Sequence, residues 1–331
     1  MFLKNYHLMF FSSLILGTMI AISSNSWFTC WLGLEINLMS MIPLILIKLN
    51  KNFTEASIKY FLAQALASMV LIFALTVNFF FTEILILEVT EIFMVSALSL
   101  KGGLAPFHFW FPQISNFLNW TQCLVIFTWQ KIAPLLLMIS LNIKSIFLIS
   151  ILSAITGAMG GLNQNLAKIL MTYSSVAHSG WMLLGCSLSV SYWMNYFFVY
   201  TFLSLVILIF LYKNQIFKTN QIFNSSDSNF NKNILVMNFL SLGGLPPFMG
   251  FFAKILILLI SIKMNMLIIL VPLILSSLTS LFFYTRMIYS SLMSFSKSNF
   301  EKTKINKTPK NFFYSMSIIF NMLFPLTILL T

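Results

Sequence analysis

The chain has 331 residues, of which 59% are hydrophobic and 8% charged, with a mean hydropathy of +0.92 and a formal net charge of +12. So few charges cannot cover a water-exposed surface, and the solvent read from composition is lipid. The apolar residues run continuously rather than in alternation, which excludes a bacterial-type β-barrel and leaves an all-α polytopic membrane protein.

The N-terminus, MFLKNYHLMFFSSLILGTMIAISS, enters an apolar segment almost at once. It carries neither a signal-peptide cleavage site nor the arginine-rich character of a transit peptide. Phe, Met, Ile, Leu, Asn and Lys dominate, and Arg286 is the only arginine. That usage is expected of an A+T-rich genome and of synthesis inside an organelle.

About eleven membrane segments are expected in chain order, at roughly 5–24, 27–47, 57–81, 84–112, 121–141, 144–161, 164–187, 191–212, 233–262, 265–290 and 312–330. The reading is a single membrane domain over 1–331, with a first helix at 5–24 and a first repeat-like half at 25–141. A second half follows at 142–290, then a polar loop and a last helix at 291–331. The stretches 213–232 and 296–311 are polar and read as solvated loops. Thirteen lysines, from Lys4 and Lys48 to Lys307 and Lys310, fall at the N-terminus or in even-numbered loops, and only Lys144 and Lys263 fall in odd ones. This positive-inside bias puts the N-terminus on the side of synthesis and, with eleven spans, the C-terminus opposite. Topology thus accounts for the excess charge without a nucleic-acid partner.

The fourth and ninth segments are longer than a straight span requires, and both contain helix breakers. Gly102 to Trp110 reads GGLAPFHFW, and Gly243 to Phe251 reads GGLPPFMGF. Breaks are expected near 102–107 (Gly102, Gly103, Pro106) and near 243–250 (Gly243, Gly244, Pro246, Pro247). Freed backbone groups are tolerated at membrane depth only inside protein or beside a wet cavity. Interruptions at corresponding positions of two halves point to a transport site built from inverted repeats.

Four ionisable residues lie deep in apolar segments: Glu35, Lys101, Lys131 and Lys254. A lone charge at the bilayer centre costs about 2.5–3.5 kcal/mol, so such residues face the protein interior and often mark transport paths. The alternative is a purely structural pairing. Burial disfavours a charged ammonium and a nearby carboxylate favours it, so changing either loads or releases a proton. Cys30, Cys123 and Cys186 are isolated in apolar runs, and no metal-ligand spacing or nucleotide-binding glycine motif occurs. No metal or cofactor is expected in this chain.

The runs SNSWFTCWLGLEINLMSMIPL, TEASIKYFLAQALASM, LKGGLAPFHFWFP, TWQKIAP, GGLNQNLAKILMTYSSVAHSGWM and LSLGGLPPFMGFFAK resemble the subunit 2 family of mitochondrial NADH:ubiquinone oxidoreductase (respiratory complex I). These antiporter-like proteins also resemble subunits of multi-subunit cation/proton antiporters. The resemblance extends from about residue 17 to 290 and implies an antiporter-like fold of inverted repeats with two broken helices. Animal members keep eleven helices, which agrees with the hydropathy count.

The resemblance also implies roles. Glu35 matches the acid of the family's Glu–Lys pair, Lys101 the lysine of the first broken helix, Lys131 the connecting lysine and Lys254 the lysine of the second broken helix. It implies proton translocation coupled to electron transfer from NADH to ubiquinone, with FMN, iron–sulfur clusters and ubiquinone held by other subunits. Neighbouring antiporter-like and small core subunits, structural phospholipid and the mitochondrial inner membrane are implied as surroundings.

His178 matches a family position and is a candidate for the polar axis, with a hydrogen-bonded core histidine the other reading. His108 is expected to satisfy backbone groups freed by the break, and His7 to be interfacial. Two departures stand out. Ala167 replaces a basic residue common in relatives, leaving Lys168 as the remaining positive charge, and Ala253 stands where proline is frequent. Glu55 and Lys59 read as a solvated i, i+4 pair, and Glu83, Glu88 and Glu91 as loop residues. Trp27, Trp110, Trp120 and Trp193 are expected as interfacial anchors. Rival readings are an independent cation/proton antiporter and a structural spacer without a channel of its own.

Overall fold

The computed structural model describes residues 5–47, 50–81, 84–141, 143–222, 229–298 and 315–322. The chain divides into two compact units, Met1–Ser153 and Ala154–Thr331. Among the described residues both are helical, and the only β feature is an isolated bridge between Leu166 and Lys218.

The first unit contains α1 (Asn5–Ser23), α2 (Trp27–Ile45), α3 (Lys51–Phe80), α4 (Ile84–Gly102), α5 (Trp110–Phe117), α6 (Trp120–Phe127), α7 (Trp129–Met138) and the start of α8 (Ile143–Gly161). Ser26 begins α2 as a cap, its hydroxyl accepting the Thr29 N–H at 3.3 Å. α1 and α2 meet through glycines. A Cβ on Gly17 would lie 2.9 Å from the Gly33 carbonyl, and one on Gly33 would lie 2.6 Å from the Ala21 nitrogen. Such small-residue contacts let helices approach closely where lipid removes the hydrophobic drive to associate.

The second unit takes the rest of α8, then α9 (Ala167–Leu188), α10 (Val190–Lys213), α11 (Asn229–Gly243), α12 (Met249–Lys263) and α13 (Leu267–Ser298). Residues 315–322 are also helical. Nearly every residue of α9 is buried, including Ser174, Ser175, Ser179 and His178, so protein rather than lipid surrounds its polar side chains.

Seven helical stretches among the described residues are long and apolar enough to cross a membrane, Trp120–Met138 counting as one although it contains α6 and α7. The two interrupted segments are divided into α4 and α5 and into α11 and α12. The expected last segment, 312–330, is described only over 315–322. Lys4, Lys48, Glu83, Lys302, Lys304, Lys307 and Lys310 lie outside the described residues.

Four readings need correction. Glu88 and Glu91, expected in a loop, lie on α4. Trp120 and Trp193, expected as interfacial anchors, are buried within the protein, as is His7. The segment 121–141 bends at Thr128, whose φ of −111° and ψ of −71° leave ideal helical values. Its hydroxyl donates to the Leu124 carbonyl at 2.7 Å, a back-bond that bends helices. Pro134 also removes the N–H that would bond the Gln130 carbonyl.

Candidate functional site

The two breaks share one local conformation in the same register. The residue after α4, Gly103, has φ +67° and the residue after α11, Gly244, has φ +83°, both in the left-handed region that glycine occupies without a Cβ penalty. The following N–H reaches back five residues in each case, Leu104 to the Ser99 carbonyl at 2.9 Å and Leu245 to the Leu240 carbonyl at 3.2 Å. Gly103 bonds Leu100 at 3.3 Å and Gly244 bonds Ser241 at 3.0 Å. This is the Schellman closure of a helix C-terminus. Cis peptides follow at Ala105–Pro106 and Pro246–Pro247.

The remaining carbonyls are satisfied differently. At the first break, the Trp110 indole donates to the Leu100 carbonyl at 3.0 Å and the Gln64 amide to the Lys101 carbonyl at 3.2 Å. At the second, the Lys254 ammonium donates to Gly243 at 3.1 Å and Leu242 at 3.5 Å. Lys254 sits on α12 and reaches back over the break, and a Cβ on Gly244 would fall 2.8 Å from its Nζ. Lys101 instead stands in the last turn of α4, where the negative end of the helix dipole favours a cation.

In the first unit the Lys101 side chain is 3% exposed and its Nζ lies 3.9 Å from Glu35 Oε1. Glu35 is less deeply enclosed than its sequence position suggests, with 22% of its side chain exposed. Lys101 borders a cavity with Asn37, Tyr60, Gln64 and Gln130, with room for about one water molecule. Lys131 is buried on α7 with its Nζ 5.5 Å from the centre of the Phe111 ring, a cation–π distance. The same ring fills the space beside Gly103, where a Cβ would approach it to 3.1 Å.

In the second unit His178 joins two cavities. One is shared with Tyr196, Ser241, Leu242 and Gly250 at the break, the other with Lys254, Trp181, Ser276 and Ser280. Its Nδ1 is 2.8 Å from the Tyr196 hydroxyl. Lys254 lies 6.0 Å from the Trp181 ring. His108 is buried, engages the Pro106 backbone and stacks on Phe109 with ring centroids 4.5 Å apart. Lys168 is buried at the start of α9, 5.2 Å from the Phe217 ring. Lys59 pairs with Glu55 at 2.6 Å on the exposed start of α3.

Sequence reasoning selected the charges and missed the neutral groups around them. Gln64, Gln130, Asn37 and Trp110 each hydrogen-bond across elements. The signal for the first three was an amide inside an apolar span, costly unless paired. Among the described residues no group of His, Cys, Asp and Glu is placed to hold a metal ion.

The family model described as NADH:quinone oxidoreductase/Mrp antiporter, TM, matches residues 24–281. The NADH-ubiquinone oxidoreductase chain 2 of Anopheles gambiae is 45% identical over 320 residues, covering 95% of this chain and 93% of the relative. That of Locusta migratoria is 36% identical, covering 92% and 91%. Among solved structures, a chain of respiratory complex I from Thermus thermophilus superposes with a TM-score of 0.80 at 22% identity, covering 87% of this chain and 71% of that one. A chain of the Mrp complex from Dietzia gives 0.75 at 13% identity, covering 85% and 59%. At those identities the superpositions establish a shared fold. The chain belongs to the NADH:quinone oxidoreductase/Mrp antiporter family of membrane proteins.

Proposed function

We propose that this chain is a core membrane subunit of respiratory complex I in the mitochondrial inner membrane. Electron transfer from NADH to ubiquinone takes place in other subunits, which hold the FMN and iron–sulfur clusters. Protons move through this chain by way of Glu35, Lys101, Lys131 and Lys254, with His178 and Lys168 as secondary participants and His108 supporting the first break. The halves 25–141 and 142–290 are read as inverted repeats, a view supported by the matching closure of their two breaks.

The observation that carries the reading is Lys101, an enclosed ammonium at a helix break 3.9 Å from one carboxylate. At an effective dielectric near 20, such a pair attracts by about 4 kcal/mol, falling to about 2 kcal/mol at twice the distance. Displacing Glu35 by about 4 Å therefore removes roughly half of the attraction that holds a charge on Lys101. A conformational signal from the electron-transfer subunits needs only to move that carboxylate.

The excess of lysines at the N-terminus and in even loops supports an N-terminus in the matrix and a C-terminus in the intermembrane space. Exposed apolar side chains such as Ile268, Phe79 and Phe80 suit contact with phospholipid or with neighbouring membrane subunits. The test is gentle solubilisation and a native gel, with one lane probed for this chain and another for NADH oxidation. Comigration in a large active complex is expected. Migration in a small particle without that activity, together with sodium-dependent proton flux, would favour a cation/proton antiporter instead.

A further inference from the structure

Asn37 and Gln130 form a reciprocal amide pair. Asn37 Nδ2 donates to Gln130 Oε1 at 3.0 Å, and Gln130 Nε2 donates to Asn37 Oδ1 at 2.9 Å. Asn37 is two residues beyond Glu35 on α2, and Gln130 immediately precedes Lys131 on α7. Both line the cavity that Lys101 borders. One pair of neutral side chains thus touches the helices of Glu35 and Lys131 and the cavity of Lys101.

A second glutamine on the other side of the bend fixes α2 to α6. Gln122 Nε2 donates to the Leu44 carbonyl at 2.7 Å and the Ile45 carbonyl at 3.0 Å, capping the end of α2. Gln122 and Gln130 are separated by roughly 12 Å of helix, and Thr128 lies between them. Gln122 therefore anchors the half before the bend. The only amide pair between α2 and the half after it, among the described residues, is Asn37 with Gln130. α7 begins beyond the irregular backbone at Thr128 and packs on α4 and α1, and the amide pair ties it to α2 as well.

We propose that Asn37 and Gln130 are positioning residues for proton exchange between Lys101 and Lys131. They form a latch that keeps α7, and with it Lys131, in register with the Glu35–Lys101 pair. This rests on the proton-carrying reading of Glu35, Lys101 and Lys131. An amide pair suits the task because it does not titrate. It holds its geometry whichever lysine carries the proton, whereas a carboxylate at either position would compete with Glu35 for the ammonium. Two parallel hydrogen bonds also fix direction, since each amide supplies the donor for the other's oxygen.

The test uses assembled complex carrying Gln130→Met or Asn37→Leu, which keep volume and remove the amides, and the swap Asn37→Gln with Gln130→Asn, which keeps both groups and their summed length. NADH-driven proton translocation is normalised to assembled complex on a native gel. Each single variant is expected to translocate at least about fivefold more slowly, the scale of one net hydrogen bond, and the swap to recover most of that loss. Normal translocation in the single variants would overturn the latch. So would loss of assembly in both the single variants and the swap, which would make the amides a fold contact only. Lys131→Met is the control for the underlying reading. If it translocates normally, that reading fails; if it is impaired while Gln130→Met is not, the latch alone fails.

Discussion

The Lys254 ammonium donates to two carbonyls at the end of α11, so it acts as a helix cap as well as a candidate proton carrier. The Lys101 ammonium makes no such hydrogen bond, and at its break the Gln64 amide meets the Lys101 carbonyl, the counterpart of Leu242. Leaving a buried carbonyl unmet costs about 1–3 kcal/mol. Lys254→Met is therefore expected to lower the amount of assembled complex recovered on a native gel, and Lys101→Met to leave it near that of the unmodified protein. Equal recovery of the two would contradict this division of roles. At this scale the sequence showed which charges lie deep in apolar segments, because an ionisable residue there has few explanations. It did not show which donor meets which carbonyl, since Gln64 and Trp110 reach the break from separate elements. Nor did it show the partial exposure of Glu35, which depends on what α2 faces.

Among the helices, the two glycine-rich breaks were legible because left-handed closure needs glycine and proline cannot continue a helix. The bend at Thr128 was not legible, since it contains neither residue and arises from a threonine back-bond combined with a proline six positions later. The packing at the second break is tighter than its motif suggests. A Cβ on Gly250 would fall 1.7 Å from the Ser241 carbonyl oxygen, joining α12 to α11 at van der Waals contact. Gly250→Ala must force the two half-helices apart, at a cost of about 3 kcal/mol or more, and is expected to abolish stable assembly. At Gly102 a Cβ meets nothing closer than Leu104 at 3.4 Å, so Gly102→Ala is expected to shift thermal stability by less than about 1 kcal/mol. Thermal unfolding of the purified complex measures both, and a Gly250→Ala variant as stable as the unmodified protein would show that the breaks are not held by this contact.

Across the whole molecule, composition established a helical membrane protein, and family membership follows from a match spanning residues 24–281. Orientation rests on the distribution of lysines. An antibody raised against residues 213–232 is expected to bind inverted vesicles, which expose the matrix face, and not mitoplasts; the reverse would invert the topology. The central claim is that a buried lysine at a helix break carries protons driven by electron transfer elsewhere in the complex. The measurement that tests it most directly is NADH-driven proton translocation by assembled complex carrying Lys101→Met. The account predicts translocation at least about tenfold below that of the unmodified complex, a conservative bound on the roughly hundredfold or more that a positioned proton-transfer group contributes. Translocation at the unmodified rate in fully assembled complex would contradict it.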